Sequence, residues 1–330
     1  MLHCINIRLL SLVLVFYKQH LNLNKKILPH LALLGTNIFF AINFSAIKSL
    51  IEGGFVLPFG LNMARMLGAT ALLWVLYLLK PNKQPIKKWH YSRFFWCSIL
   101  GVTINQLFFI KGLSLTHTIH ASLLMLTTPI IITVIAAWIL KERLSWNKIV
   151  GLSLGVGGAS VLILANKVDS NGMNVLLGDF LIIVNAICYS YYFILVKPLM
   201  KRYDPLTVLR VCFTLGTVIA LPFCWSEFSV IPWQQYNVKA FALLTTVVVG
   251  GTFLAYLFNI YGIKHLGASV SGAYIYFQPV FATMISMFFL GENLDWFKAV
   301  AAVCIFAGVY ITNRSKTEES VFQDAEEGNG

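Results

Sequence analysis

GVTINQLFFIKGLSLTHTIHASLLMLTTPIIITVIAAWILKERLSWNKIVGLSLGVGG, residues 101–158, is answered 150 positions later by GTFLAYLFNIYGIKHLGASVSGAYIYFQPVFATMISMFFLGENLDWFKAVAAVCIFAG, residues 251–308. The two stretches align without a gap. Gly101, Leu107, Phe108, Gly112, Pro129, Thr133, Leu140, Glu142, Leu144, Trp146, Lys148 and Gly158 fall on Gly251, Leu257, Phe258, Gly262, Pro279, Thr283, Leu290, Glu292, Leu294, Trp296, Lys298 and Gly308. The identities concentrate on Gly, Pro, Glu, Trp and Lys, the residues that fix backbone shape, charge and interfacial depth. A whole structural unit has been duplicated, and the two halves are read together.

The surrounding chain is 58% hydrophobic and 12% charged, with a mean hydropathy of +0.75; soluble domains carry roughly 25% charged residues. This reads as an all-α polytopic membrane protein. Apolar segments at 30–51, 56–79, 92–112, 118–140, 147–165, 176–196, 206–225, 240–261, 268–290 and 297–313 give ten transmembrane helices, five per half, each about 20 residues long. The expected organisation is an N-terminal cytoplasmic extension (1–29), a first five-helix repeat (30–165), a linker (166–175), a second five-helix repeat (176–313) and an acidic, disordered cytoplasmic tail (314–330). The apolar run from Leu9 to Tyr17 is too short to span and lacks a small-residue cleavage pattern, so it reads as an interfacial extension or an upstream start, not a signal peptide.

The formal charge of +12 does not point to nucleic acid, because the basic residues gather in alternate loops between spans and form no soluble basic face. Lys80, Lys83, Lys87, Lys88, Arg93, Lys141, Arg143, Lys197, Lys201 and Arg202 fall on one side, and few Lys or Arg on the other. The positive-inside rule then places both termini in the cytoplasm of a cell (inner, cytoplasmic) membrane. Since five is odd, the second half enters the bilayer from the opposite side. Inverted repeats of this kind place a substrate site near the midplane and support alternating access.

The six Cys have no paired spacing and lie mostly in apolar runs, as small core residues do. There is no G-x-x-x-x-G-K-[ST], H-E-x-x-H or G-x-S-x-G, so neither ATP-driven transport by this chain nor those enzymatic chemistries are expected. No cofactor and no metal are expected: His117 and His120 share a helical face, but no acid or Cys stands beside them in sequence.

A mid-helix proline followed thirteen residues later by a glutamate, Pro129 to Glu142 and Pro279 to Glu292, then Leu, Trp and a Gly/Ala-rich closing helix, resembles the EamA type of the drug/metabolite transporter superfamily. Ala41-Ile42-Asn43-Phe44 with Lys48, Arg65, and Gly178-Asp179 followed by Tyr189 and Tyr192 agree with it. The likeness covers residues 30–313. One departure is Asn37-Ile38-Phe39-Phe40, where such proteins often carry a Trp-Gly pair. The resemblance implies a secondary transporter of a small organic metabolite, an amino acid or related compound, working in the direction of export. The rival expectation is a non-transporting membrane sensor or a membrane-embedded enzyme; an enzyme would need clustered acids or histidines, and a sensor a sizeable output domain.

Polar groups inside a bilayer are costly unless paired or facing water, so they mark where to look for a site. Asn43, Gln106, Tyr189, Tyr192, Tyr256, Tyr276 and Gln278 are the candidates to line a substrate cavity, the alternative being hydrogen-bonded glue between helices. Pro129 and Pro279 should break their helices and free a carbonyl near Met125 and Ile275. Arg65 either receives a substrate anion or, like Arg210 and Lys48, snorkels toward the membrane surface. Asp179 either responds to protons, which with a counter-substrate are the expected coupling partners, or complements a helix dipole from the first turn.

Overall fold

The computed structural model describes residues 27–80, 85–140, 146, 149–151, 153–154, 157–158, 174–289, 291, 296, 299–300, 302–304, 306–308 and 310–311. The described residues are helical, with no strand among them. The principal helices are α1 (Ile27–Glu52), α2 (Pro58–Leu78), α3 (Tyr91–Ser98), α4 (Ile104–Leu115), α5 (Thr118–Met125), α6 (Thr127–Leu140), α7 (Val175–Met200), α8 (Pro205–Ser229), α9 (Val238–Thr245), α10 (Ala255–Ala273) and α11 (Phe277–Phe289). Among the described residues, six helical stretches are long and apolar enough to cross a membrane: Ile27–Glu52, Pro58–Leu78, Lys88–Leu115, Val175–Met200, Pro205–Ser229 and Val238–Leu266. Residues 1–26 of the expected N-terminal extension, the 166–173 part of the linker and the acidic tail lie outside the described residues, as do Glu142 and Glu292; residues 27–29, expected in the extension, open α1.

Local chemistry sets the ends of these helices. Gly54 closes α1 in the left-handed region (φ 70°), where a residue without Cβ is unstrained. Leu57 is extended and Pro58 opens α2, a position where its missing N–H is no loss. Asn174, Asp204 and Asn237 cap α7, α8 and α9, accepting from Leu177 N (3.1 Å), Thr207 N (3.3 Å) and Ala240 N (2.8 Å).

The helices pair in a pattern that the duplication explains. α2 lies antiparallel to α8: Glu227 Oε2 accepts from Phe59 N (2.6 Å) and Gly60 N (3.2 Å) at one end, Thr70 meets Thr217 (3.0 Å) midway, and Lys80 Nζ lies 2.8 Å from Asp204 Oδ2 at the other. α1 lies antiparallel to α10, with Gly251 against Asn43 and Gly262 against Leu33. α4 and the turn before it lie antiparallel to α7 in the corresponding way, with Gly101 against Tyr192 and Gly112 against Ile182. Each half therefore lends its first helix to the other half's third.

Two features depart from the sequence expectation. Helix α10 keeps helical backbone as far as Ala273, past the boundary expected between 261 and 268, because a lone Gly267 without a following proline is a weak breaker. The α3–α4 and α9–α10 stretches each pass through π-helical turns, Ile99–Thr103 and Thr246–Leu254. The matched glycines 101 and 251 lie inside those turns. Such bulges widen a helix locally and recur at functional sites.

The Lys80–Asp204 pair fixes one end of the α2–α8 pairing and carries a pH dependence. Burial raises the Asp204 carboxyl, but hydrogen bonds from Lys80 and Thr207 outweigh it and hold the group below its ordinary range. A depressed carboxylate contributes stability above its unfolded value, about pH 4, and loses it as pH falls through the folded one. Asp204→Asn keeps the cap but discards the ion pair. The variant should be about 0.5–1 kcal/mol less stable at neutral pH, and its melting temperature should fall less than the wild type's on acidification; parallel acid profiles would refute the assignment.

Candidate functional site

Of the amides and phenols expected to line a cavity, Gln106, Tyr189, Tyr192 and Tyr256 come together with Asn105, Asn185 and Asn259 where α1, α4, α7 and α10 meet. Gln106 Nε2 donates to Tyr256 Oη (2.8 Å), and Tyr256 donates onward to Asn105 Oδ1 (3.2 Å). Asn185 Nδ2 donates to the Asn105 carbonyl (2.7 Å), and Asn259 Nδ2 donates to Tyr189 Oη. Tyr189 and Tyr192 stack with centroids 6.0 Å apart, while Phe40 and Phe213 meet the Tyr256 ring edge-on at 6.0 and 5.1 Å. Asn43 and Gln106 are each 1% exposed and Tyr256 7%. The cluster is packed closed between the halves.

Two helix interruptions stand near the prolines. Helical hydrogen bonding stops at Leu126, whose N–H turns back to Leu123 O (3.0 Å), and a 3-10 turn occupies Tyr274–Tyr276. These breaks lie at matched positions, three residues before Pro129 and Pro279 in each half. The side chains of Pro129, Tyr276 and Pro279 lie outside the described residues. Gln278 is buried, but among the described residues no hydrogen bond joins it to the Gln106–Tyr256 network.

Arg65 sits deep in the protein rather than snorkelling. It is 2% exposed and donates from Nε to Thr252 Oγ1 (3.0 Å). The Arg210 guanidinium lies over the rings of Tyr77 (3.8 Å) and Trp74 (4.5 Å), a cation–π stack.

A second polar cluster joins α1, the α4–α5 turn, α5 and α7. Lys48, 3% exposed, donates to the Thr116 carbonyl and approaches Leu113 O and Glu52 Oε1, both at 3.5 Å. Thr116 Oγ1 donates to Asp179 Oδ1 (2.5 Å), and His120 Nδ1 lies 3.5 Å from Asp179 Oδ2. Asp179 is fully buried, and since α7 begins at Val175 it stands in the second turn, not the first. The dipole explanation loses force accordingly. The acid that seemed missing beside His117 and His120 is Asp179, although among the described residues no group of three ligands is placed to hold a metal. Sequence reasoning discounted Lys48 because it lies near a span end; its position four residues before Glu52 was the available signal.

At the opposite end of the same pairing scheme, His30 Nδ1 and Tyr274 Oη lie 2.7 Å apart. Both halves are thus tied at two depths, by His30–Tyr274 and by the Lys48–Thr116–Asp179 cluster.

The sequence profile of the EamA-like transporter family matches residues 27–164 and 176–314. The chain is 27% identical over 287 residues to an uncharacterized transporter of Archaeoglobus fulgidus, covering 86% of this chain and 96% of that protein. It is 25% identical over 292 residues to a probable terminal-alkyne amino-acid exporter of Streptantibioticus cattleyicolor, covering 86% and 92%. A solved crystal structure at 20% identity superposes with a TM-score of 0.53, covering 83% of this chain and 97% of that one; that likeness speaks for the fold alone.

Proposed function

Because the chain belongs to the EamA-like transporter family, and so is a multi-pass membrane transporter of the drug/metabolite type and not an enzyme, we propose that it is a ten-span secondary carrier. Its two five-helix repeats, 30–165 and 176–313, are inverted, both termini are cytoplasmic, and it moves a small organic metabolite across the cytoplasmic membrane by alternating access. The observation that carries this reading is the exchange of helices between halves: α1 with α10, α4 with α7, and α2 antiparallel to its own counterpart α8. Repeat-related helices running in opposite directions are what inversion requires. The buried Gln106–Tyr256–Asn105 network lies between the halves, and ties between them stand at both depths. A closed centre held at both mouths corresponds to an occluded intermediate.

The cargo is an amino acid or a related compound, and export is the direction. The relative named as an amino-acid exporter supports this, as does a wall of amide and aromatic groups suited to a small zwitterion. Asp179, with His120 and Lys48 nearby, is the coupling candidate. Uptake into proteoliposomes should respond to an imposed pH gradient or counter-substrate; equal rates with and without either would remove coupling and leave facilitated diffusion.

Tyr256 holds Gln106 and Asn105 in place, so Tyr256→Phe should weaken ligand binding by about tenfold, one hydrogen bond's worth, while the variant purifies like wild type. A thermal-shift titration measures this, since a ligand that binds the folded state raises its apparent stability. Unchanged midpoints for Tyr256→Phe and Gln106→Ala together would place the cargo elsewhere.

A further inference from the structure

Thr252 Oγ1 accepts from Arg65 Nε and donates to Val247 O (2.8 Å). Tyr256 Oη accepts from Gln106 and donates to Asn105. Among the buried atoms without a hydrogen-bond partner are two of opposite polarity, Arg65 Nη1, a charged donor, and Asn43 Oδ1, an acceptor; Asn62 Oδ1 and Asn185 Oδ1 are further unpartnered acceptors. The first two meet the same turn of the π-helical segment, Arg65 through Thr252 and Asn43 against Gly251. Those two residues lie at the middle of the Val238–Leu266 span.

A guanidinium sealed inside a membrane protein without a counter-ion is expensive, and a buried donor left unmade forfeits its full desolvation penalty. The other arginine in an equivalent helix lies over two aromatic rings, although its Nε is likewise without a hydrogen-bond partner. Among the described residues no carboxylate pairs with Arg65, and its Nη1 has no hydrogen-bond partner. An unmade hydrogen bond of each sign, on side chains that contact the consecutive residues Gly251 and Thr252, is the complement of a ligand that brings both.

We infer that Arg65 and Asn43 form the charge-recognition subsite of the carrier: Arg65 receives the carboxylate of a zwitterionic substrate, Asn43 Oδ1 accepts from its ammonium, and Gly251, lacking a Cβ, lets the Asn43 amide lie against its helix. The inference rests on the transport reading and deepens it by assigning the groups that tell an α-amino acid from its neutral or cationic derivatives. Charge-assisted hydrogen bonds of this kind are the strong ones, so losing the carboxylate should be the most damaging single change to the ligand.

The full-length protein in nanodiscs is titrated by thermal shift with each of the common amino acids, and every amino acid that stabilises it is compared with its carboxamide and its desamino carboxylate. The free acid should bind at least about tenfold more tightly than the carboxamide. In Arg65→Gln this preference should vanish, with Arg65→Lys recovering part of it, and in Asn43→Leu the preference for the amino acid over the desamino acid should vanish. Equal binding of acid and carboxamide to the wild type, retention of the preference by Arg65→Gln, or no stabilisation by any amino acid would each overturn the assignment. The wild-type comparison stands even where a variant fails to fold. A neutral compound that binds and is moved across proteoliposomes would sink this subsite and leave transport standing; an amino acid that binds through its carboxylate but is never moved would do the reverse.

Discussion

Gly251→Ala is expected to destabilise the protein by about 1–3 kcal/mol, the cost of forcing extra volume into a packed interior, and to stop transport. A Cβ on Gly251 would stand 2.6 Å from Asn43 Cβ and closer still to its amide. Asn43 Cβ is fixed to the backbone of α1, so no rotamer relieves the clash and the two helices must separate. Gly101→Ala should do the same in the other half, where the new Cβ would stand 2.7 Å from Tyr192 Cε2 and nearer to the rest of the ring edge. Gly157→Ala is the control, since a Cβ there meets nothing within 4 Å. Thermal melts of the three purified variants test this. Midpoints of Gly251→Ala and Gly101→Ala within about 2 °C of the control would mean that the close approach of the halves is not needed.

Lys48→Met should be more damaging, by about 3–5 kcal/mol, because removing one member of a buried charged cluster leaves the others uncompensated. Lys48 Nζ is held by the Thr116 carbonyl while Thr116 Oγ1 holds Asp179, so a single threonine relays the two charges across the halves. The double variant Lys48→Met with Asp179→Asn should regain part of the loss, since the net charge of the cluster is restored. Two losses that simply add, or a Lys48→Met protein as stable as wild type, would show that the groups do not act together.

The duplication and six of the ten expected spans were legible because membrane insertion writes itself into composition, and because matched prolines, glycines and tryptophans stand at a fixed spacing. Asn43, Gln106, Tyr189 and Tyr256 stood out for the same reason: an amide or phenol in an apolar run needs an explanation. The π-helical turns were not legible, since a change from i→i−4 to i→i−5 hydrogen bonding leaves hydropathy untouched and depends on what packs against Gly101 and Gly251. Nor was the placement of Arg65. A basic residue seven positions after a span-opening proline looks able to snorkel, and only Thr252, 187 residues away in sequence, reveals that it turns inward. Lys48 was hidden in the same manner, its chief acceptor being a backbone carbonyl at Thr116 that no side-chain pattern announces.

Exchange tests the carrier mechanism most directly. Proteoliposomes holding the purified protein are preloaded, or not, with unlabelled amino acid, using the one that gives the largest thermal shift, and uptake of the same labelled compound is followed. A carrier that alternates about a single buried site should fill preloaded vesicles faster than empty ones, and Gly251→Ala should abolish the difference. Flux that is indifferent to the contents of the vesicle, or no protein-dependent flux of a compound that binds, would contradict alternating access.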